Sequence, residues 1–235
     1  MTQLKTSFAG LSLRNPVIIS SSSLTNSAEK NKKLELAGAG AIVLKSVFEE
    51  QIMMQAHHMA TYDSPEAGDY LSTYVRSHAI KEYIDLIQET KRLCTIPIIA
   101  SINCFSSSEW TDFARTMQDA GADALELNIL SLQTEKEYQY GAFEQRHIDI
   151  LSSVKKHVSI PVIIKLGTNL TNPIALINQP LCQWSCSSSV IQSFLPARHQ
   201  YRNQELFFGG SVQPSFGPGK RFALDSYCFS TSTTN

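Results

Sequence analysis

The chain has 235 residues, 43% of them hydrophobic, enough for one sizeable core and close to the roughly 250 residues of a single α/β barrel. A formal net charge of −1 gives no electrostatic reason to expect nucleic acid or an anionic membrane as partner. No run approaches ~20 apolar residues, and the opening MTQLKTSFAGLSLRNP lacks the long apolar core of a signal peptide, so a cytoplasmic globular enzyme is the expected class.

In chain order, residues 5–14 read as an initial hairpin that covers the bottom of the fold, followed by a strand at 17–20 and a helix at 27–37. Leu36-Ala-Gly-Ala-Gly-Ala-Ile-Val-Leu-Lys45 then runs from a helix end into an apolar strand at 41–45. A helix at 78–93 carries Tyr83, Ile84, Leu86 and Ile87 at helical spacing, and Pro97 opens a strand at 97–102, where a missing N–H is tolerated. A helix at 108–120 buries Trp110, Phe113, Ala114 and Met117, with Ser108 as its N-cap.

The next segment, Asp119-Ala-Gly-Ala-Asp-Ala-Leu-Glu-Leu-Asn128, echoes residues 36–45 and supplies a strand at 124–128. A helix at 143–157 leads into Ser159-Ile-Pro-Val-Ile-Ile-Lys-Leu166, which echoes Thr95-Ile-Pro-Ile-Ile-Ala-Ser-Ile102 and gives a strand at 161–165. Continuous Val/Ile/Leu runs alternating with helices indicate parallel strands covered on both faces. The fold class is α/β, an incomplete (β/α)8 TIM-type barrel with about five of the eight strands encoded.

Each of these strands ends on polar residues: Ser20 and Ser21, Lys45, Asn103, Asn128 and Lys165. Strand C-terminal ends face the active site in a barrel, so the set points to a ligand site there. Two lysines in the set leave two chemistries open, electrostatic stabilisation of a bound group or a Schiff base of the aldolase type. No lone carboxylate presents itself as a general base. His57 and His58, in a Met-rich stretch, read as loop histidines. Tyr70, Tyr74, Arg76 and His78 read either as the lining of a pocket or, the favoured reading, as an ordinary loop entering a helix.

On these residues the chain resembles the soluble, class 1-like dihydroorotate dehydrogenases. Phe8-x-Gly10-Leu-x-Leu13-x-Asn15-Pro16 with Ser20-Ser21-Ser22 is similar to the family's opening. Leu44-Lys45-Ser46, Ser101-Ile-Asn103, Glu126-Leu-Asn128-Ile-Leu-Ser131 and Ile163-Ile-Lys165-Leu follow in the family's order. The resemblance implies FMN as cofactor, held by Ser20, Ser21, Lys45, Ser46, Asn103, Asn128 and Lys165. It implies Ser131 as the residue that takes the substrate's proton and Lys45 as a further catalytic group. The implied reaction is oxidation of dihydroorotate to orotate in pyrimidine biosynthesis, in a cytoplasmic protein with a small-molecule substrate and room for a homodimer. Two departures bear on the substrate. The family's Pro-Asn after the serine is Leu132-Gln133, and its Asn-rich segment after the second strand is Ser64-Pro-Glu-Ala-Gly-Asp-Tyr70.

After residue 179 the pattern changes. Three of five cysteines (Cys182, Cys186 and Cys228) crowd into this tail, followed by Gly/Pro-rich turns and a Ser/Thr end. Cys182 and Cys186 with His199 make at most a weak zinc set, and Gly217-Pro-Gly-Lys220 has the wrong spacing for a phosphate loop. Codons permitted for Cys182 onward, read one nucleotide later, yield Ala-x-Gly-Ala before an apolar strand ending in Asn. Codons permitted for residues 211–228 yield an acid-capped amphipathic helix. The expected organisation is therefore a flavin-binding barrel part at 1–179 and a frameshifted or disordered tail at 180–235.

Overall fold

A computed structural model describes residues 4–49, 52, 54, 68–104, 107–129, 139–167, 170–172, 176, 188–192 and 227–229. The chain opens with strands β1 (Thr6–Phe8) and β2 (Leu11–Leu13), paired antiparallel through a two-residue turn. Both turn residues, Ala9 and Gly10, have positive φ (51° and 80°), as a tight hairpin's right-handed twist demands.

The main sheet contains β3 (Ile18–Ile19), β4 (Ala41–Val43), β6 (Ile98–Asn103), β7 (Ala124–Asn128) and β8 (Val162–Leu166), all parallel in that order. These are the five strands that the sequence predicts. A short additional strand, β5 (Val47–Phe48), lies parallel to the end of β6. Helices α1 (Ala28–Leu36), α2 (Gly68–Leu93), α3 (Ser107–Asp119) and α4 (Ala142–Lys155) alternate with the strands. The fold is an α/β incomplete TIM-type barrel.

Two differences from the sequence reading stand out. Helix α2 begins ten residues before the expected position, taking in Tyr74, Arg76 and His78, and α3 begins at Ser107, so Ser108 lies inside it rather than capping it. The tail also adds strands where no period is legible. β9 (Ser188–Gln192) runs parallel to β8, and β10 (Tyr227–Phe229) pairs antiparallel with β9. The row of N–H and C=O groups along β8 needs partners, and Val190-Ile191 is the kind of β-branched pair a strand favours.

The strands bury both faces. Outward residues such as Ile42, Ile98, Ile102, Leu125 and Leu127 join Ile87, Trp110, Phe113 and Met117 from the helices in one core. The predicted apolar stripe of α3 is fully interior, with Trp110 and Phe113 1–2% exposed. Inward residues Ala41, Val43, Ile99, Ala124 and Ile163 pack instead on Phe8 and Leu13 of the hairpin. The hairpin thus fills one end of the curled sheet.

The two sequence echoes adopt the same geometry. Gly38 and Gly121 have φ of 111° and 99°, and each ends its helix with the pair of backbone bonds of a left-handed cap. Three residues earlier, Glu35 and Gln118 do the same work. Glu35 Oε1 accepts from the Thr95 N–H at 2.8 Å, and Gln118 Oε1 accepts from the Ser159 N–H at 2.6 Å. Each side chain thereby fixes the start of the next-but-one Ile-Pro strand. Two residues beyond the caps the echoes diverge for a reason. A Cβ on Gly40 would lie 2.3 Å from the Asn15 carbonyl oxygen, whereas Asp123 uses its carboxylate to accept from the Ile98 N–H at 2.7 Å and from Lys91.

Tyr83 closes a gap in the sheet. The chain leaves β4 before it can pair with Ser101, and the buried Tyr83 hydroxyl takes that place. It donates to the Ser101 carbonyl at 3.1 Å and accepts from the Ser101 N–H at 2.9 Å. Burial pushes this phenol well above its ordinary range, so it stays a donor at every working pH.

Two outcomes are expected. Tyr83→Phe strands a buried N–H and C=O and lowers stability by about 1–3 kcal/mol, read as a lower urea midpoint with an unchanged slope. Burial raises the Glu35 carboxyl, but hydrogen bonds from Lys32 and Thr95 outweigh it and hold the group at about 2, below its usual 4.5. Because the folded value is the lower one, Glu35 contributes stability above pH ~4.5 that is lost as pH falls toward ~2, about 3 kcal/mol at most. Glu35→Gln should flatten the stability curve across that interval, and an unchanged slope of stability against pH would count against it.

Candidate functional site

Alternation along each strand sets which residues reach the inner face. The positions that continue Ile99, Ala124 and Ile163 are Ser101 and Asn103 on β6, Glu126 and Asn128 on β7, and Lys165 on β8. Register places Ser101 beside Glu126 and Asn128 beside Lys165. The inner face is therefore apolar at the hairpin end and becomes polar toward the strand C-termini. Asn128 is buried at 8% exposure and Asn103 is half-buried.

A hydrogen-bonded chain crosses this face. Ser21 and Ser46 hydroxyls lie 3.0 Å apart, and the Ser46 N–H donates to Ser21 Oγ at 2.8 Å. Ser46 Oγ is 2.7 Å from Ser101 Oγ, and Ser101 donates to Glu126 Oε1 at 2.7 Å. The same carboxylate oxygen lies 4.0 Å from Lys165 Nζ. Side chains from five consecutive segments of the sheet thus meet in one line. Ser21 is positioned by the short 3-10 turn Ser23–Thr25 and its capping serine, Ser22. Ser46 follows directly on Lys45, whose N–H donates to the Thr25 carbonyl at 3.2 Å.

Of the residues singled out in the sequence, Ser21, Ser46 and Lys165 join this line, and Asn103 and Asn128 stand at its upper edge. Ser20 and Lys45 lie next to it in sequence and are exposed at the strand ends. Ser131, Leu132, Gln133, His57 and His58 lie outside the described residues, as does the loop at 64–67. Tyr74, Arg76 and His78 belong to the helical layer instead. Arg76 pairs with Glu109 of α3 and stands 5.9 Å over the Phe113 ring, and His78 pairs with Glu82 at 3.7 Å.

The sequence reading passes over the group at the centre of the line. Glu126 is a carboxylate at 3% exposure, and Ser101, its donor, is fully buried. The signal was available: counting back by two from Asn128 puts Glu126 on the same face. A buried carboxylate inside a barrel strand is costly unless it is paired, so its presence there marks a polar interior.

The chemistry this arrangement offers is that of a docking surface for a polar, electron-rich group. It presents one half-buried ammonium, a second at the rim, two amides and two hydroxyls. Among the described residues no helix is long and apolar enough to cross a membrane.

The family model for dihydroorotate dehydrogenase matches residues 3–179. The chain is 28% identical to the catalytic subunit of dihydroorotate dehydrogenase B (NAD(+)) from Thermoplasma volcanium, covering 75% of this chain and 58% of that one. It is 33% identical to the corresponding subunit from Methanocella arvoryzae, covering 72% and 56%. With that from Staphylococcus carnosus it shares 25% identity across 93% of this chain and 71% of the other. The chain spans a little over half the length of the first two. The chain belongs to the dihydroorotate dehydrogenase family.

Proposed function

We propose that this chain is the front part of an FMN-dependent dehydrogenase that oxidises the CH–CH bond of dihydroorotate. The observation that supports this reading most is the polar line Ser21–Ser46–Ser101–Glu126–Lys165, set at the strand ends where a barrel of this family places its ligand. The donor set suits a flavin. The cofactor would be held by Ser20, Ser21, Lys45, Ser46, Asn103, Asn128 and Lys165.

When bound, the flavin supplies the hydride acceptor. The remaining work falls to the chain. Lys165 and Lys45 place positive charge where the reduced ring gathers negative charge, and that charge is worth most where water is excluded. Asn103 and Asn128 offer amide donors and acceptors that orient a planar heterocycle. Ser131 takes the proton from the substrate carbon with help from its neighbours, since an isolated serine is a weak base. The departures at Leu132-Gln133 and at 64–70 leave the substrate at the level of dihydroorotate or a related small molecule. The relatives' description as catalytic subunits supports a partner subunit, alongside a homodimer.

A second reading makes Lys165 or Lys45 a Schiff-base lysine. An ammonium held beside a carboxylate is a poor nucleophile, which weighs against Lys165 in that role.

We further read residues 180–235 as a shifted frame, so that β9 and β10 stand in this chain in place of the family's own later strands. The family match ends at residue 179, which supports the reading, while the longer Staphylococcus carnosus alignment favours a divergent but native tail. Without the later strands, which in this family grip the flavin phosphate at helix N-termini, flavin binding is weak.

The test is to resequence the gene across residue 180, express the frame that results, and record the spectrum before and after anaerobic dihydroorotate. The expected result is visible flavin absorbance that bleaches on addition, with flavin affinity falling at least tenfold in Lys165→Met. A colourless protein whose lysine is trapped by borohydride with a carbonyl substrate would establish the second reading instead.

A further inference from the structure

Buried carboxylates inside parallel sheets are rare because desolvation is costly, and Glu126 is almost wholly covered. Among the described residues two groups compensate it, the Ser101 hydroxyl at 2.7 Å and the Lys165 ammonium at 4.0 Å. The hydroxyl gives its single hydrogen to the carboxylate. Ser101 Oγ then has only lone pairs to offer, so the hydrogen in the 2.7 Å contact with Ser46 belongs to Ser46. By the same count, the hydrogen in the 3.0 Å contact between Ser21 and Ser46 belongs to Ser21. Each serine spends its hydrogen toward Glu126. The Ser46 N–H runs the other way, donating to a lone pair of Ser21 Oγ and leaving the Ser21 hydrogen for Ser46 Oγ.

We propose that Glu126 is the positioning residue of the site, holding the Lys165 ammonium at the inner face and fixing the hydrogen direction of the Ser21–Ser46–Ser101 chain. The consequence for a ligand is specific. Ser21 and Ser46 present hydrogen-bond acceptors and no donors, so the part of the ligand that meets them must carry an N–H or O–H. Lys165, held from below by charge attraction to Glu126 at 4.0 Å, presents its ammonium hydrogens to an acceptor of the same ligand. A planar heterocycle with an imide-type edge, donor flanked by acceptors, satisfies both demands. This inference rests on reading the strand-end row as a ligand site, and its chief test does not require the ligand.

The experiment is a double-mutant cycle in the full-length protein that resequencing yields, using Glu126→Gln, Lys165→Met and the pair together. Two quantities are read: the thermal midpoint without flavin, and the dissociation constant of added FMN. Each single change should lower the midpoint, because each leaves a partner uncompensated, while the double variant should lie no lower than the worse single. For FMN, Lys165→Met should cost at least tenfold when Glu126 is intact. The same change should cost no more than about threefold on top of Glu126→Gln, because an untethered lysine has little left to lose. Additive midpoints, or equal losses of affinity with and without Glu126→Gln, overturn the proposal. If Glu126→Gln alone does not fold, a folded double variant is the expected rescue and an unfolded one contradicts it. A parent protein that binds no FMN defeats the functional reading, yet the midpoint cycle still decides this one.

Discussion

A sheet that is covered on both faces has to solve the problem of its inner face, and period-two alternation decides how. Every second side chain of β4, β6, β7 and β8 points into a space that water cannot freely fill. Near the strand starts that space is closed by Phe8 and Leu13 of the hairpin against Ala41, Val43, Ile99, Ala124 and Ile163. Toward the strand ends the same alternation delivers Ser101, Glu126, Asn128 and Lys165. The polarity gradient of the interior is thus written residue by residue, and it fixes which end of the molecule can receive a polar ligand.

The rest of the structure serves to hold those strands in register. Two echoed caps, at Gly38 and Gly121, stop helices with the same backbone geometry, and Glu35 and Gln118 reach from the same position to pin the start of an Ile-Pro strand. Tyr83 supplies the missing rung opposite Ser101, the residue that donates to Glu126. A helix on the outer face therefore steadies a hydroxyl on the inner one. Packing and site are linked through a single backbone position.

Much of this is legible in the sequence because it repeats. The Ala-Gly-Ala and Ile-Pro echoes give four of the five parallel strands directly, and Trp110, Phe113, Ala114 and Met117 show helical spacing plainly. Strand-end residues such as Asn128 and Lys165 can be read because each follows an apolar run. Glu126 escapes for the opposite reason: it sits inside such a run, where a charge reads as an outward residue until the register of its neighbours is known. Tyr83 reads as core, and its hydroxyl's work on Ser101 joins residues 18 apart that no local pattern connects. The early start of α2 is hidden by Ser64-Pro-Glu-Ala-Gly-Asp-Tyr70, whose turn-forming residues mask the helix that begins at Gly68. β9 and β10 depend on an open edge of β8, which no stretch of the tail announces.

If the strand-end row is a single ligand site facing one bound group, Lys45 and Lys165 are covered together when that group binds. Lysine labelling tests it directly. The full-length protein is pulsed with acetic anhydride with and without FMN, and each lysine is quantified by peptide mass spectrometry. FMN should slow the labelling of Lys45 and Lys165 together, at least fivefold, and leave Lys91 and Lys156 unchanged. Equal labelling of Lys45 and Lys165 in the presence and absence of bound FMN would contradict it.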